Sequence, residues 1–403
     1  MYSTYFLPFL LRHIKIGQKL KSIPYEFSQK SGKLVITKDK TRIWIFRLQI
    51  VLHLMYCIAM LIHLCFGPST VARKLQGFVF FCMYTVVLCG RWNYDVNVAP
   101  IQVINSAMEF EKKVVAGKPD WNVNLETILM KLLLQLVYYT IFAVPVAKLA
   151  LILLDPCSPP FLLSMWVDCS SVKWTKSFGY QNLILIFDIW MNIHAFIGGS
   201  FEILYVYLTG IVCLLNYFDV LRRDIRAAEK AAQFKSCTCI YRSIQILEKL
   251  FNGFLMLLIL PSFMIFMPTL QVLLQYVCIM MNNDIPKPAF LMFILVWMNV
   301  FVNNVLVFTL ASWVNNVSIK VLKENEKAMI HMGHATRRSA IMKEVKASTV
   351  LKIKFGSNFI DSGTPLGVPV RPFGPYGLEP ALHLEASSVR AWPKMACRNV
   401  ARP

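Results

Sequence analysis

Six long apolar runs lie between Trp44 and Val314, and the 89 residues after Val314 contain none. A helix of about 20 apolar residues crosses the hydrocarbon core of a bilayer, so runs of this length commit the chain to a membrane. In lipid every backbone N–H and C=O must find its partner within the protein, which leaves helices or closed barrels. Barrel strands alternate in hydropathy and these runs do not, so the predicted fold class is an all-α membrane protein with six transmembrane helices. Composition agrees: 56% of residues are hydrophobic and 16% charged, a balance that soluble domains rarely have.

The runs place spans at 43–66, 75–92, 127–154, 182–218, 250–281 and 289–314. They follow a segment over 1–42 and precede a helical segment over 315–362 and a proline-rich stretch over 363–403 that is expected to be disordered. The fourth and fifth runs exceed one bilayer crossing, so they are expected to tilt, bend or project beyond it. Gly198, Gly199 and Gly210 in the fourth, Pro261 and Pro268 in the fifth and Pro145 in the third are the residues that permit bending.

The net charge of +20 would suit a nucleic-acid partner, but its distribution argues against one. Nine Lys and Arg residues precede Trp44, while the first loop has only Arg73 and Lys74. The second loop has Lys112, Lys113 and Lys118, with Arg91 at its edge; the third has Lys173 and Lys176. Seven fall in the fourth, from Arg222 to Lys249, and the fifth has Lys287 alone. Positive residues favour the cytosolic side, so the N-terminus is expected in the cytosol. This orientation excludes the G-protein-coupled receptor plan, and six spans return the chain to the cytosol. The segments 219–249 and 315–350 read as cytosolic helices that continue the long spans. The sequon Asn316-Val317-Ser318 is then cytosolic and expected to stay unmodified.

Cys157 and Cys169 share the third loop, on the oxidising side, where they are expected as a disulfide or as two buried thiols. Hydrolase, nucleotide-binding and metalloprotease motifs are absent, so the sequence calls for no enzyme, cofactor or metal. Four ionisable residues lie deep within spans: Lys148, Asp188, His194 and Glu202. Each costs about 2.5–3.5 kcal/mol at a helix centre, so each needs a partner or a water-filled cavity. Lys148 and Asp188 fall at similar depth and could pair. Asp188 and Glu202, nearly four turns apart on one helix face, could relay protons; the plainer reading of all three is polar contact between helices. Aromatic residues gather in the outer halves of the spans, and Tyr84, Phe142, Trp190, His194, Tyr276 and Trp297 are the candidate lining of a pocket for small organic ligands, with His194, Gln271, Gln275, Asn299, Asn303 and Asn304 as its candidate polar groups. For any one of them, core packing or an interfacial belt explains it as well.

The run Leu351-Lys-Ile-Lys-Phe-Gly-Ser-Asn-Phe-Ile-Asp-Ser-Gly-Thr-Pro-Leu366 resembles the approach to the last span of arthropod gustatory and odorant receptors. Gly356, Phe359, Ile360 and Asp361 carry the likeness, and the Thr-Tyr…Gln-Phe signature of the gustatory branch does not follow. The resemblance implies a ligand-gated cation channel subunit in the plasma membrane, assembled as a homo- or hetero-tetramer with related subunits. It implies tastants or odorants in an outer-half pocket among spans two to six, and a pore lined by a seventh span. No such span follows Leu366, so this chain is expected not to conduct alone, its proline-rich end being aberrant for the family. The alternatives are a secondary transporter using Asp188, Glu202 or Lys148, and a motif-poor membrane enzyme.

Overall fold

The computed structural model describes residues 2–115, 125–165, 169, 174, 179–283, 285, 287–330, 335–356 and 358–360. Asp361 and the proline-rich stretch over 363–403 lie outside the described residues. Among the described residues six helices are long and apolar enough to cross a membrane, and the protein is a helical membrane protein. Its described residues divide between two compact units: Met1–Cys213 with Lys249–Leu310 and Lys354–Phe359, and Leu214–Glu248 with Ala311–Ile353 and Ile360.

The first unit begins with a π-helical turn, Tyr2–Phe6, and the helix α1, Leu7–Lys19. The helix is amphipathic, with Pro8 in its first turn, where no N–H is missed. It buries Leu10, His13, Ile14 and Gly17. A hairpin of β1, Tyr25–Ser28, and β2, Lys33–Ile36, follows, turned by Gly32 at φ 63°. Such a positive φ is open to glycine at no steric cost. Neither α1 nor the hairpin is announced by an apolar run.

The helix α2, Lys40–Phe66, starts where Asp39 accepts the Thr41 N–H at 3.0 Å, a side-chain cap for an orphan donor. Its packing is inverted relative to a soluble helix. Gln49, His53 and Tyr56 face inward at spacings of four and three, while Trp44, Met55 and Ile62 face out. Lipid accepts the apolar face and the interior collects the polar one. The helix α3, Val71–Arg91, is capped by Thr70. The helix α4, Ala99–Phe110, occupies part of the second loop and buries Ile101, Ile104 and Phe110. The helix α5, Leu125–Leu154, carries Pro145 without ending there.

The fourth span runs as α6, Tyr180–Ser200, a π-helical stretch Phe201–Leu208, and α7, Thr209–Arg226. It is the central element: 89% of its most apolar window is buried, against 33–50% for the other five spans. Gly199 lets it approach α3, because a Cβ there would stand 3.0 Å from the Val87 carbonyl oxygen.

The fifth run, expected as one span over 250–281 that tilts, bends or projects, is two helices. Helix α8, Ala231–Leu255, ends before α9, Ile259–Met280, begins. At the break the Met256 carbonyl accepts the Gly356 N–H at 2.9 Å, and the Asn252 side chain accepts the Lys354 N–H at 3.0 Å. Gly356 sits at φ 54° in the turn between β3, Lys354–Phe355, and β4, Asn358–Phe359. The returning strand takes backbone groups that continued helix would have used, a competition between segments about 100 residues apart. The helix α10, Lys287–Ile330, is the sixth span and its extension.

The second unit packs the far part of α8, the extension of α10 and α11, Ala335–Lys346, around Phe234, Met329, Ile341 and Val345. Arg222 binds Glu324 at 2.7 Å, and Tyr241 donates to the Thr349 carbonyl at 2.9 Å. Helix was expected to continue to residue 350, but it ends at Lys346. Beyond it the chain is extended, with Leu351, Ile353 and Ile360 buried. Ser318 of the sequon is fully buried and accepts the Leu351 N–H at 3.0 Å.

Candidate functional site

Within the first unit α3, α5, α6 with the π-helical stretch, α9 and α10 line an apolar cavity of about 140 Å³. Its wall is mostly aliphatic, with Met83, Val87, Ile141, Ile203 and Val300 among the lining residues. Four polar residues interrupt it: Thr140, Ser200, Asn299 and Asn303. Thr140 Oγ1 donates to the Val137 carbonyl at 3.1 Å and lies 3.4 Å from Asn299 Oδ1. Asn299 and Asn303 each donate their amide to a carbonyl four residues earlier, at 2.8 Å. These bonds hold the amides in one orientation, so the polar edge of the cavity is preorganised.

Ser200 links the cavity to the N-terminal helix. His13 Nε2 donates to the Ile197 carbonyl at 2.8 Å, and the Ser200 hydroxyl oxygen lies 3.3 Å from the same nitrogen. The His13 ring packs 5.1 Å from that of Tyr205. Burial holds the His13 imidazole neutral, lowering its pKa to about 4. The π-helical stretch begins one residue after Ser200 and supplies Ile203 and Leu204 to the wall. Such stretches, rare in helices, are frequent at functional sites.

None of the six residues expected as the pocket lining lines this cavity, whereas Asn299 and Asn303 of the expected polar groups do. Phe142 and Tyr276 are 41% and 49% exposed and point away from the bundle. Trp190 packs 4.2 Å from His194, and Trp297 stacks on Phe301 at 5.9 Å. His194 accepts from the buried Arg91 guanidinium at 2.9 Å. Tyr84 faces away from the cavity, into a cluster around Lys148.

Beside the cavity is a polar layer. Lys148 and Asp188 are both fully buried, with Nζ 3.8 Å from Oδ1. Tyr56 donates to the same Oδ1 at 2.6 Å, and Lys148 reaches Tyr84 OH at 3.0 Å and Tyr56 OH at 3.3 Å. Asn192 donates to Tyr84 OH at 3.1 Å. Arg91 extends the layer to His194 and to Gln49, 3.4 Å away. Sequence reasoning assigned Arg91 to a loop edge and passed over Gln49, His53 and Tyr56, although their spacing is a helical-face signal. Glu202 stands apart, buried beside Phe201 and with Oε2 lacking a hydrogen-bond partner. Fourteen residues separate it from Asp188, roughly 21 Å along a helix.

Cys157 and Cys169 are joined in a disulfide, with Cα atoms 5.3 Å apart. Among the described residues no group of three His, Cys, Asp or Glu side chains could hold a metal ion.

No family model matches the chain, and no curated protein matches it. Solved structures do. The insect olfactory receptor OR5 from Machilis hrabei in complex with eugenol is 14% identical, with a TM-score of 0.58 over 87% of this chain and 93% of that one. A second structure of the same receptor gives 13% identity and a TM-score of 0.55, over 86% of this chain and 91% of that one.

Proposed function

We propose that this chain, which has the fold of an insect olfactory receptor, is a chemosensory receptor subunit for small organic molecules. The observation that carries the reading is the apolar cavity with a fixed polar edge, set among five spans of that fold. A cavity of about 150 Å³ takes a single aromatic ring such as benzene, so the ligand class is compact, uncharged and mostly apolar. Thr140 and Asn299 offer such a molecule one hydrogen-bonding group. The solved neighbour with eugenol supports this class. In this reading the protein acts in the plasma membrane as part of a cation channel built with related subunits, a tetramer by family resemblance.

The test is ligand-evoked current from cells expressing the chain together with a related subunit, screened with uncharged one-ring volatiles. Val300→Trp fills the cavity and is expected to lower sensitivity at least about tenfold while surface expression persists. Unchanged sensitivity would remove the cavity as the ligand site, and proton-coupled uptake without current would favour a transporter. That second reading draws on Glu202, whose buried carboxylate keeps one oxygen unpartnered. Lys148 and Asp188 favour it less, because their opposite charges are already paired with each other.

A further inference from the structure

We propose that the chamber around Asp188 is a recognition site for a primary alkylammonium group, and that Lys148 is its built-in occupant. The site is separate from the apolar cavity and does not depend on the receptor reading. Four oxygens surround Lys148 Nζ: Tyr84 OH at 3.0 Å, the Asp188 carbonyl at 3.0 Å, Tyr56 OH at 3.3 Å and Asp188 Oδ1 at 3.8 Å. Three rings complete the enclosure, with centroids 4.5 Å (Phe161), 5.3 Å (Tyr84) and 5.6 Å (Tyr56) from Nζ. A cation within about 6 Å of a ring centroid is attracted by its quadrupole, and aromatic cages recognise organic ammonium ions in this way. Aromatic walls, a carboxylate and neutral acceptors are together the chemistry of an amine site.

The chamber also has more acceptor capacity than one lysine uses. An ammonium has three N–H donors and no acceptor. Asp188 Oδ2 and Asn192 Oδ1 are buried and lack a donor in hydrogen-bond geometry, although the Leu162 backbone amide approaches the Asp188 carboxylate. Phe161 belongs to the loop after Pro159-Pro160, while the other walls come from α2, α3 and α6. The ammonium therefore holds loop and helices together.

Lys148 delivers its ammonium on a four-carbon stem, and Lys148→Ala keeps the first of those carbons, so the external ligand of matching shape is n-propylammonium. A tethered group competes at an effective concentration of about millimolar or more. The intact chain should therefore exchange its lysine only at high amine concentration, and Lys148→Ala should leave the chamber open. The experiment is thermal unfolding of the full chain in detergent, with n-propylammonium, n-propanol or sodium chloride added. Lys148→Ala is expected to unfold at lower temperature than wild type and to regain about 2 °C with ~10 mM propylammonium. Propanol and salt should not reproduce the gain, and Lys148→Ala/Asp188→Asn should show none. Equal shifts with amine and alcohol, no shift, or a shift that survives loss of Asp188 would overturn the proposal. If Lys148→Ala yields no folded protein, Lys148→Met decides it by keeping the stem and removing the charge. Asp188→Asn should then raise the unfolding constant at least about tenfold less in the Met background than in wild type; equal effects would overturn the proposal.

Discussion

The apolar cavity and the Lys148 chamber draw on adjacent positions of one helix. Met83 of α3 lines the cavity, and Tyr84, the next residue, closes the chamber. On the cavity side contacts are aliphatic and non-directional, so a wall residue can change size without leaving a polar group stranded. On the chamber side every group is directional. An ammonium, a carboxylate and two phenols are withdrawn from water, so each depends on all the others. One face of α3 is thus free to vary with a ligand, while the other must keep its chemistry for the bundle to exist.

The largest effect should come from breaking the chamber. Asp188→Ala leaves the Lys148 ammonium buried without its carboxylate, a change that costs about 3–5 kcal/mol. Thermal unfolding in detergent measures it, and a wild-type midpoint would show that the pair contributes nothing. Enlarging the cavity should cost less. Ile203→Ala removes part of its wall at about 2–4 kcal/mol and should shift preference toward bulkier ligands, read from dose–response curves across a size series.

A smaller effect should mark the link from the cavity wall to α1. His13 is neutral when folded, with a pKa of about 4 against about 6.5 when unfolded. Its contribution is complete above pH 6.5 and is lost as pH falls toward 4. The slope is at most about 1.4 kcal/mol per pH unit for one proton. His13→Gln, which can still donate to the Ile197 carbonyl, should flatten stability across that window; an unchanged pH profile would place the sensitivity elsewhere. The smallest change should follow Thr140→Val, which removes the hydroxyl contacts at 3.1 Å and 3.4 Å at the cavity edge and keeps its shape. About 1 kcal/mol or less is expected, with a several-fold loss confined to ligands that carry a hydroxyl.

Much of the bundle was legible along the chain. The runs behind α2, α3, α5 and α10 are apolar enough to read directly, and a lysine and an aspartate at membrane depth demanded partners. Lys148 and Asp188 could be named for that reason, although only packing brings their helices together. Of the cavity only Asn299 and Asn303, expected as polar groups of a ligand pocket, were legible; its apolar wall was not. Around the cavity the inward and outward faces of the helices are both largely apolar, so an aromatic side chain does not reveal whether it meets lipid or protein. Phe142 and Tyr276 turned outward on that account, while Ile203 and Val300, unremarkable as letters, became wall. Arg91 misled for a related reason: a cation at the end of an apolar run reads as a loop charge, but its side chain folds back to His194. The break at Met256 was hidden too, since its carbonyl is taken by Gly356, a hundred residues away.

The sequence by itself determined that this protein lives in a bilayer as helices, because apolar runs of that length have no other stable solvent and backbone groups there must bond locally. It also determined which residues could not be left alone, since a charge in hydrocarbon is costly wherever it sits. Tertiary structure alone decided which charges met, which aromatic residues faced inward and where an empty volume remained. Those outcomes depend on how helices rotate and approach one another, and hydropathy, nearly uniform around each helix, carries little record of rotation.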